Sequence, residues 1–230
     1  MRTLPPLDED LDPEEVIAVL TPLLGAERAA RLDAVAGGRL EGVAAVLEDL
    51  HDPHNTGAAL RSCEAMGVFH VFVVNVRERF RTSVRVTQGC ERWLEVKRHR
   101  SVDDMVAAAQ ARGFRIYAAV PGAKLSLADI DPRERVALAF GNEHVGLSPG
   151  LRARADGEFS IPMYGASQSL NVSVSVAVAL HVASEARRRA VGATTDLDAA
   201  TLLRLRARYY AADVRGFRAV LARARAEKAS

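Results

Sequence analysis

Three short polar segments hold the side chains best suited to chemistry. Asn55 precedes Arg61 by six residues, in a stretch that follows the loop His51-Asp-Pro-His-Asn55. Helical continuation there places a guanidinium near an amide able to fix its orientation. Glu143, in Phe140-Gly-Asn-Glu-His-Val-Gly-Leu-Ser148, is the one carboxylate of its segment and follows a strand end at Gly141-Asn142. Its chemistry would be orientation through charge-assisted hydrogen bonds. Gly141 and Gly146 suit a backbone that approaches a ligand closely. Ser167, Gln168, Ser169 and Asn171 lead into a long apolar run. Backbone N–H groups at such a helix start lack partners and can meet a ligand. Asn171 also suits a helix N-cap. His51, His70, His99, His144 and His181 share no metal-ligand spacing, so no metal is expected. There is neither a Walker-type loop nor a Gly-x-Gly-x-x-Gly fingerprint.

The elements that position these residues alternate in type. Val43–Leu50, Val68–Val76, Phe114–Val120, Val136–Phe140 and Phe159–Ile161 are short apolar runs that predict strands, with Arg92–Val96 a weaker one. Helical patterns intervene at about 55–66, 102–112, 148–155 and 169–191. Val172 to Val178 alternates with Ser and Ala as a strand would, yet the run continues through His181 to Arg189. That length and amphipathic end predict a buried helix. The alternation predicts an α/β fold with a mostly parallel sheet and flanking helices. All three polar segments then follow strand ends, the usual ligand position in such sheets. The expected division is a helical extension over 1–40, the α/β domain over 41–192 and a basic helical extension over 193–230. Asp12-Pro13 opens the first helical unit and Gly37-Gly38 closes it.

Composition adds bounds. The chain has 230 residues, 49% of them hydrophobic and 26% charged, without an apolar run long enough to span a bilayer. A cytoplasmic protein is the default expectation. Cys63 and Cys90 fit no disulfide or metal pattern and are expected to be reduced, in or near the core. Residues 1–50 hold four Arg against eleven Asp and Glu, a balance of −7. Residues 187–230 hold ten Arg and one Lys against four acids, a balance of +7. Arg supplies 28 of the 31 basic residues, which suits phosphate contacts, although a codon-driven preference accounts for the bias equally well.

Three motifs in order, Asn55-Thr-Gly-Ala-Ala-Leu-Arg61 with Gly67, Phe140–Ser148 and Ile161–Leu180, resemble those of the SpoU/TrmH family of RNA ribose 2′-O-methyltransferases, in the SPOUT class. The match spans roughly residues 43–190. The resemblance implies S-adenosylmethionine as cofactor, a C-terminal trefoil knot and a homodimer. It implies that Arg61 is the central catalytic residue, with Asn55, Glu143, Ser169 and Asn171 around it. It implies that Ala119, Gly141, Asn142, Ile161, Met163 and Leu170 hold the cofactor, and that His54, Arg187 and Arg188 meet RNA. Arginine is a poor general base. Either a bound phosphate and a dry pocket let Arg61 accept the proton, or Arg61 stabilises the developing alkoxide, which physical reasoning favours.

Within the family the chain is most similar to the type that methylates guanosine 18 in the tRNA D-loop. Ribosomal RNA as substrate, or an inactive assembly factor, are the alternatives. The competent residues at all five catalytic positions speak for an enzyme. The acidic N-terminus departs from a basic, tRNA-binding extension, which assigns RNA contact to the basic C-terminal helices or implies another substrate. The helix from Leu170 to Arg189 is expected to meet its two-fold mate through Val172, Val176, Ala179 and Ala183.

Overall fold

The computed structural model describes residues 3–8, 10–77 and 79–228. Helices α1 (Pro13–Leu24) and α2 (Ala26–Ala36) precede β1 (Leu40–Glu48), α3 (Pro53–Ala65), β2 (Val68–Val74) and the single turn α4 (Val84–Thr87). There follow β3 (Glu95–His99), α5 (Val102–Gln110), β4 (Arg115–Ala119), β5 (Leu125–Ser126) and β6 (Val136–Phe140). The chain closes with α6 (Pro149–Arg152), β7 (Gly157–Ser160), α7 (Val172–Val191), α8 (Ala199–Asp213) and α9 (Phe217–Lys228).

The seven strands form one sheet in the order β3-β2-β1-β6-β4-β7-β5, each pairing parallel. Its central strands are buried on both faces, which is why they read as continuous apolar runs. Along β1, Val43, Ala45 and Leu47 join a core with α3, α7 and α8, while Ala44 and Val46 join another with α5 and α6. The strand's period of two thus divides one sequence between two cores.

Most elements match the sequence reading, with shifts at their ends. Strand β1 stops at Glu48 because Asp49 takes a left-handed turn at φ 48°. The weak strand near 92–96 moves to 95–99, behind a 3-10 turn over Cys90–Trp93. The helix expected over 148–155 shrinks to the four residues of α6. The ambiguous Val-rich run is helix α7, capped by Asn171, whose Oδ1 accepts from Ser173 N at 2.8 Å. Gly67 takes φ +80°, and a Cβ there would meet the Gly38 carbonyl oxygen at 2.3 Å. No other residue fits that turn between α3 and β2.

The two extensions pack on each other. Val16, Leu20, Ala29 and Leu32 of α1 and α2 share a core with Ala207, Tyr210, Phe217 and Leu221 of α8 and α9. Their opposite charges meet: Arg28 with Asp213 at 2.8 Å, Arg206 with Asp33 at 2.7 Å, Arg218 with Asp8 at 2.9 Å and Arg225 with Glu15 at 2.7 Å. Three of these pairs join an acid of the N-terminal extension to an arginine of the C-terminal one and so offset part of the charge asymmetry within the molecule.

Candidate active site

The turns after β4, β6 and β7, with the start of α7, enclose a cleft of about 700 Å3 at the C-terminal edge of the sheet. The volume lies in the range of small-molecule sites. Phe140, Phe159, Ile161 and Leu147 give it apolar walls. Ala119, Gly141, Asn142, Met163 and Leu170 line it, as do Glu143, Ser169 and Asn171. Gln168, already singled out in its polar loop, lines it as well, while sequence reasoning overlooked Ser175 and the Val120-Pro121-Gly122 turn. The turn after β4 carried no polar signal at all.

The wall between β6 and α6 is a tight turn. Asn142 and Gly146 exchange backbone hydrogen bonds at 3.1 and 2.8 Å. A Cβ on Gly141 would stand 2.3 Å from the Gly146 carbonyl carbon, and Gly146 has φ +71°. Gly141 is therefore required by the turn's approach to itself, and Gly146 by its left-handed backbone. The Asn142 side chain is also absorbed: its Nδ2 donates to the Asp49 carbonyl at 2.7 Å and its Oδ1 accepts from His144 N at 2.9 Å.

This turn aims Glu143 at the start of α3. Its carboxylate accepts from His51 N at 2.9 Å, Asp52 N at 3.2 Å and Asn55 Nδ2 at 2.9 Å. Asn55 Oδ1 in turn accepts from Asn171 Nδ2 at 3.0 Å. A carboxylate, two amides and a helix N-cap thus join all three motifs in one chain of hydrogen bonds. Partial burial opposes ionisation of Glu143, but the Asn55 amide and the backbone N–H donors outweigh it and lower its pKa. With its oxygens so engaged, Glu143 orients Asn55 and does not hold Arg61 of its own chain.

Arg61 lies elsewhere. Six helical residues amount to about 240° around the axis and about 9 Å along it, so Asn55 and Arg61 leave α3 in different directions. Arg61 is exposed, without a hydrogen bond or ion pair to any described residue, and faces a separate cavity of about 380 Å3. Arg28, Arg31, Glu64, Gln88 and Trp93 line that cavity too. Within one chain, the expected proximity of Arg61 to Asn55 is corrected. Cys90 borders the same cavity and Cys63 is buried in the core; burial pushes both thiols up to about 12, so neither is a thiolate near neutral pH.

His54 is exposed beside the cleft network, and its backbone N–H donates to the N-cap carboxylate of Asp52 at 2.8 Å. Arg187 and Arg188 turn inward instead. Arg187 pairs with Asp196 at 2.8 Å and donates to the Pro132 and Glu134 carbonyls. Arg188 donates to the carbonyls of Gly38, Met66 and Thr194. Their donors fasten the end of α7 to the fold, which corrects the expectation that they face RNA.

Helix α7 brings a further correction. Val176 and Ala179 are fully buried in their own chain, with Val172 and Ala183 packed against that core. The exposed apolar stripe is Val174, Val178 and Val182, at 44%, 37% and 37% exposure. Leu170 and Met163, which line the cleft, are each 37% exposed beside it in sequence. Among the described residues no group of His, Cys, Asp and Glu is placed to hold a metal ion.

The family model described as the SpoU rRNA Methylase family matches residues 42–181. A tRNA (guanosine(18)-2′-O)-methyltransferase of Thermus thermophilus is 35% identical over 164 residues, covering 71% of this chain and 84% of that one. Its counterpart in Escherichia coli is 34% identical over 164 residues, covering 71% and 72%. The crystal structure of the Aquifex aeolicus TrmH/SpoU tRNA modifying enzyme superposes with a TM-score of 0.72 at 26% identity, over 82% of this chain and 97% of that one. The SpoU methyltransferase AviRb of Streptomyces viridochromogenes, solved with AdoMet, gives a TM-score of 0.55 at 27% identity, over 63% and 57%.

Proposed function

The chain belongs to the SpoU methylase family, and on that footing we propose that it transfers a methyl group from S-adenosylmethionine to a ribose 2′-hydroxyl of tRNA, at guanosine 18. The observation that carries this reading is the hydrogen-bonded chain Glu143–Asn55–Asn171 at the cleft, since it joins the three motifs on one reaction centre. The cleft fits the cofactor: Phe140, Leu147, Phe159 and Ile161 give apolar walls suited to an adenine, and Gln168, Ser169, Asn171 and Ser175 add polar groups. Ala119, Gly141, Ile161, Met163 and Leu170 would hold it, with Asn142 contributing through its backbone. When bound, the cofactor supplies an electrophilic methyl group.

The remaining work falls to this chain. Glu143 holds Asn55, and Asn55 holds Asn171, so the amides reach the substrate already oriented. Preorganised dipoles of this kind need no rearrangement as charge develops. Ser169 and Asn171 steady the groups at the entrance to α7, and His54 meets the RNA. Arg61 stabilises the alkoxide that forms as the 2′-hydroxyl passes its proton to solvent water. Since Arg61 faces away from its own cleft, the proposal includes a homodimer in which Arg61 of one protomer serves the cleft of the other. The exposed Val174, Val178 and Val182 stripe, continuous with Leu170 at the cleft, supports a second copy as its cover. A trefoil crossing of the segment after β7 also belongs to the proposal, supported by the meeting of that segment with the turns after β4 and β6. Action in the cytoplasm belongs to it as well; no helix among the described residues is long and apolar enough to cross a membrane.

The test is transfer from labelled S-adenosylmethionine to tRNA transcripts, with the modified ribose mapped by mass spectrometry. Label at guanosine 18 is expected. Label in ribosomal RNA with tRNA spared would overturn the substrate, and no label in any RNA would overturn the activity.

A further inference from the structure

On the far side of the Gly141–Ser148 turn lies a second groove, of about 480 Å3, that shares Asn142, Gly146 and Leu147 with the cofactor cleft. We propose that this groove is a nucleobase subsite, holding the base of a nucleotide next to the one that is methylated. The inference rests on the proposed RNA methylation and specifies where the substrate continues beyond the reaction centre.

Its walls have the character a base requires. Val76 and Val145 stand in them as apolar side chains at 59% and 68% exposure. The His51 and His144 rings meet edge to face there, with centroids 5.6 Å apart. Flat imidazole faces beside aliphatic walls suit the stacking of an unpaired base, the usual way in which single-stranded RNA is held. Arg77 lines the same groove and gives a cation for the attached phosphate.

The two carboxylates of the groove do not oppose this. Glu48 accepts from Ser148 N at 2.7 Å and Ser148 Oγ at 2.6 Å. Asp49 accepts from the backbone N–H of Val76 at 2.8 Å and of Arg77 at 3.1 Å. Both thus serve to fold the walls. The groove is also coupled to the chemistry, because the backbone N–H of His51 is one of the donors to Glu143. A base seated against the His51 ring would press on the loop that sets Glu143 and Asn55.

Two measurements test the subsite. Ultraviolet crosslinking of the wild-type protein to an unmodified tRNA transcript, followed by peptide sequencing, should give nucleotide adducts on His144, Val145 or His51. This map is read without turnover. Transcripts carrying a single abasic nucleotide on either side of the methylated position should then show KM raised about tenfold for one of them. The same transcript should bring no further loss in His144→Ala, whose affinity for S-adenosylmethionine should be unchanged. Adducts confined to other surfaces, or equal abasic penalties in wild type and His144→Ala, would overturn the subsite while leaving the methylation intact. A His144→Ala protein that changes its dimer dissociation while wild type gives no adduct in the groove would show a second copy there, also overturning it. Absence of methyl transfer by the wild-type protein would instead defeat the activity itself, whatever the crosslinks show.

Discussion

The cleft network and the arm-to-arm ion pairs are two polar assemblies of this molecule that use charge in opposite ways. At the cleft a single carboxylate, Glu143, is met by three N–H donors and, among the described residues, no cation. Between the extensions, carboxylates meet guanidinium groups directly, as in Arg28 with Asp213 and Arg206 with Asp33, and all four side chains stay partly exposed. Exposed pairs are screened by water and salt and are each worth about 1 kcal/mol or less. The neutral-donor network instead fixes geometry, since each partner is held on a separate element. The molecule thus spends its many charges on adhesion and its few amides on orientation. Arg61 breaks the pattern: it is a cation with no partner at all among the described residues.

The comparison can be broken most decisively at Arg61. Arg61→Ala should lower turnover by about a thousandfold, the scale of losing a preorganised stabiliser of developing charge. Affinity for S-adenosylmethionine should stay within about tenfold, because the loss falls on the transition state. Arg61→Lys should not rescue, since a point charge lacks the planar fork. If Arg61 serves the partner's cleft, mixing Arg61→Ala with Glu143→Ala should restore about a quarter of wild-type activity through hybrid dimers with one intact site. Failure of the mixture to exceed either parent, with subunit exchange demonstrated, would place Arg61 at the cleft of its own chain.

The face of α7 gives the next largest effect. Val178→Arg should leave a folded chain that sediments as an inactive monomer, because that side chain is exposed in the protomer. Ala179→Arg should instead prevent folding, since Ala179 is fully buried against its own sheet and an unpaired charge there costs several kcal/mol. An active Val178→Arg monomer would mean that the site is complete in one chain.

Glu143→Gln sharpens the contrast between orienting and adhesive charge. The amide keeps the shape but turns one acceptor into a donor facing N–H groups, so kcat should fall about tenfold to a hundredfold with little change in cofactor affinity. The pH dependence follows from the lowered pKa of Glu143. A carboxyl with a depressed folded pKa contributes fully above its ordinary value of 4.5 and loses that contribution as pH falls through the lower, folded value. The network should therefore hold through the neutral range and give way only in acid below 4.5. An acid limb near neutrality that vanishes in Glu143→Gln would contradict this.

How much of this was legible in the sequence follows from the range of the forces involved. The buried strands announced themselves because both faces are apolar, and Val136–Phe140 fell where the run fell. Helix α7 was legible through its length, despite the alternation of Val with Ser and Ala. The grouping of Glu143, Ser169 and Asn171 at one cleft was legible because strand ends converge in a parallel sheet. The position of Arg61 was misread, since six residues on a helix carry a side chain well around the axis. The two-residue strand β5 and the single turn α4 lack enough residues to show a period. The charge balance of the extensions did not disclose their mutual ion pairs for another reason: opposite ends of a chain can be neighbours in space, and composition does not record it.

That last point carries the smallest expected effect. Arg206→Ala removes a bidentate pair with Asp33, at 2.7 Å through both Nε and Nη2, and leaves the Tyr210 hydroxyl as the remaining donor to that carboxylate. Both partners are about a third exposed, so the loss should be under about 1 kcal/mol. For a chain of this size that is a fall in Tm of about 2 °C, reduced further by salt. Affinity for tRNA and its dependence on salt should not change, because the guanidinium is already engaged within the molecule. Deleting residues 200–230 cannot answer the same question, as it removes Leu205 and Tyr209 from the central core. If Arg206→Ala instead lost tenfold in tRNA affinity with a shallower salt slope and an unaltered Tm, the basic arm would be an RNA contact, and its pairing with Asp33 only the resting arrangement.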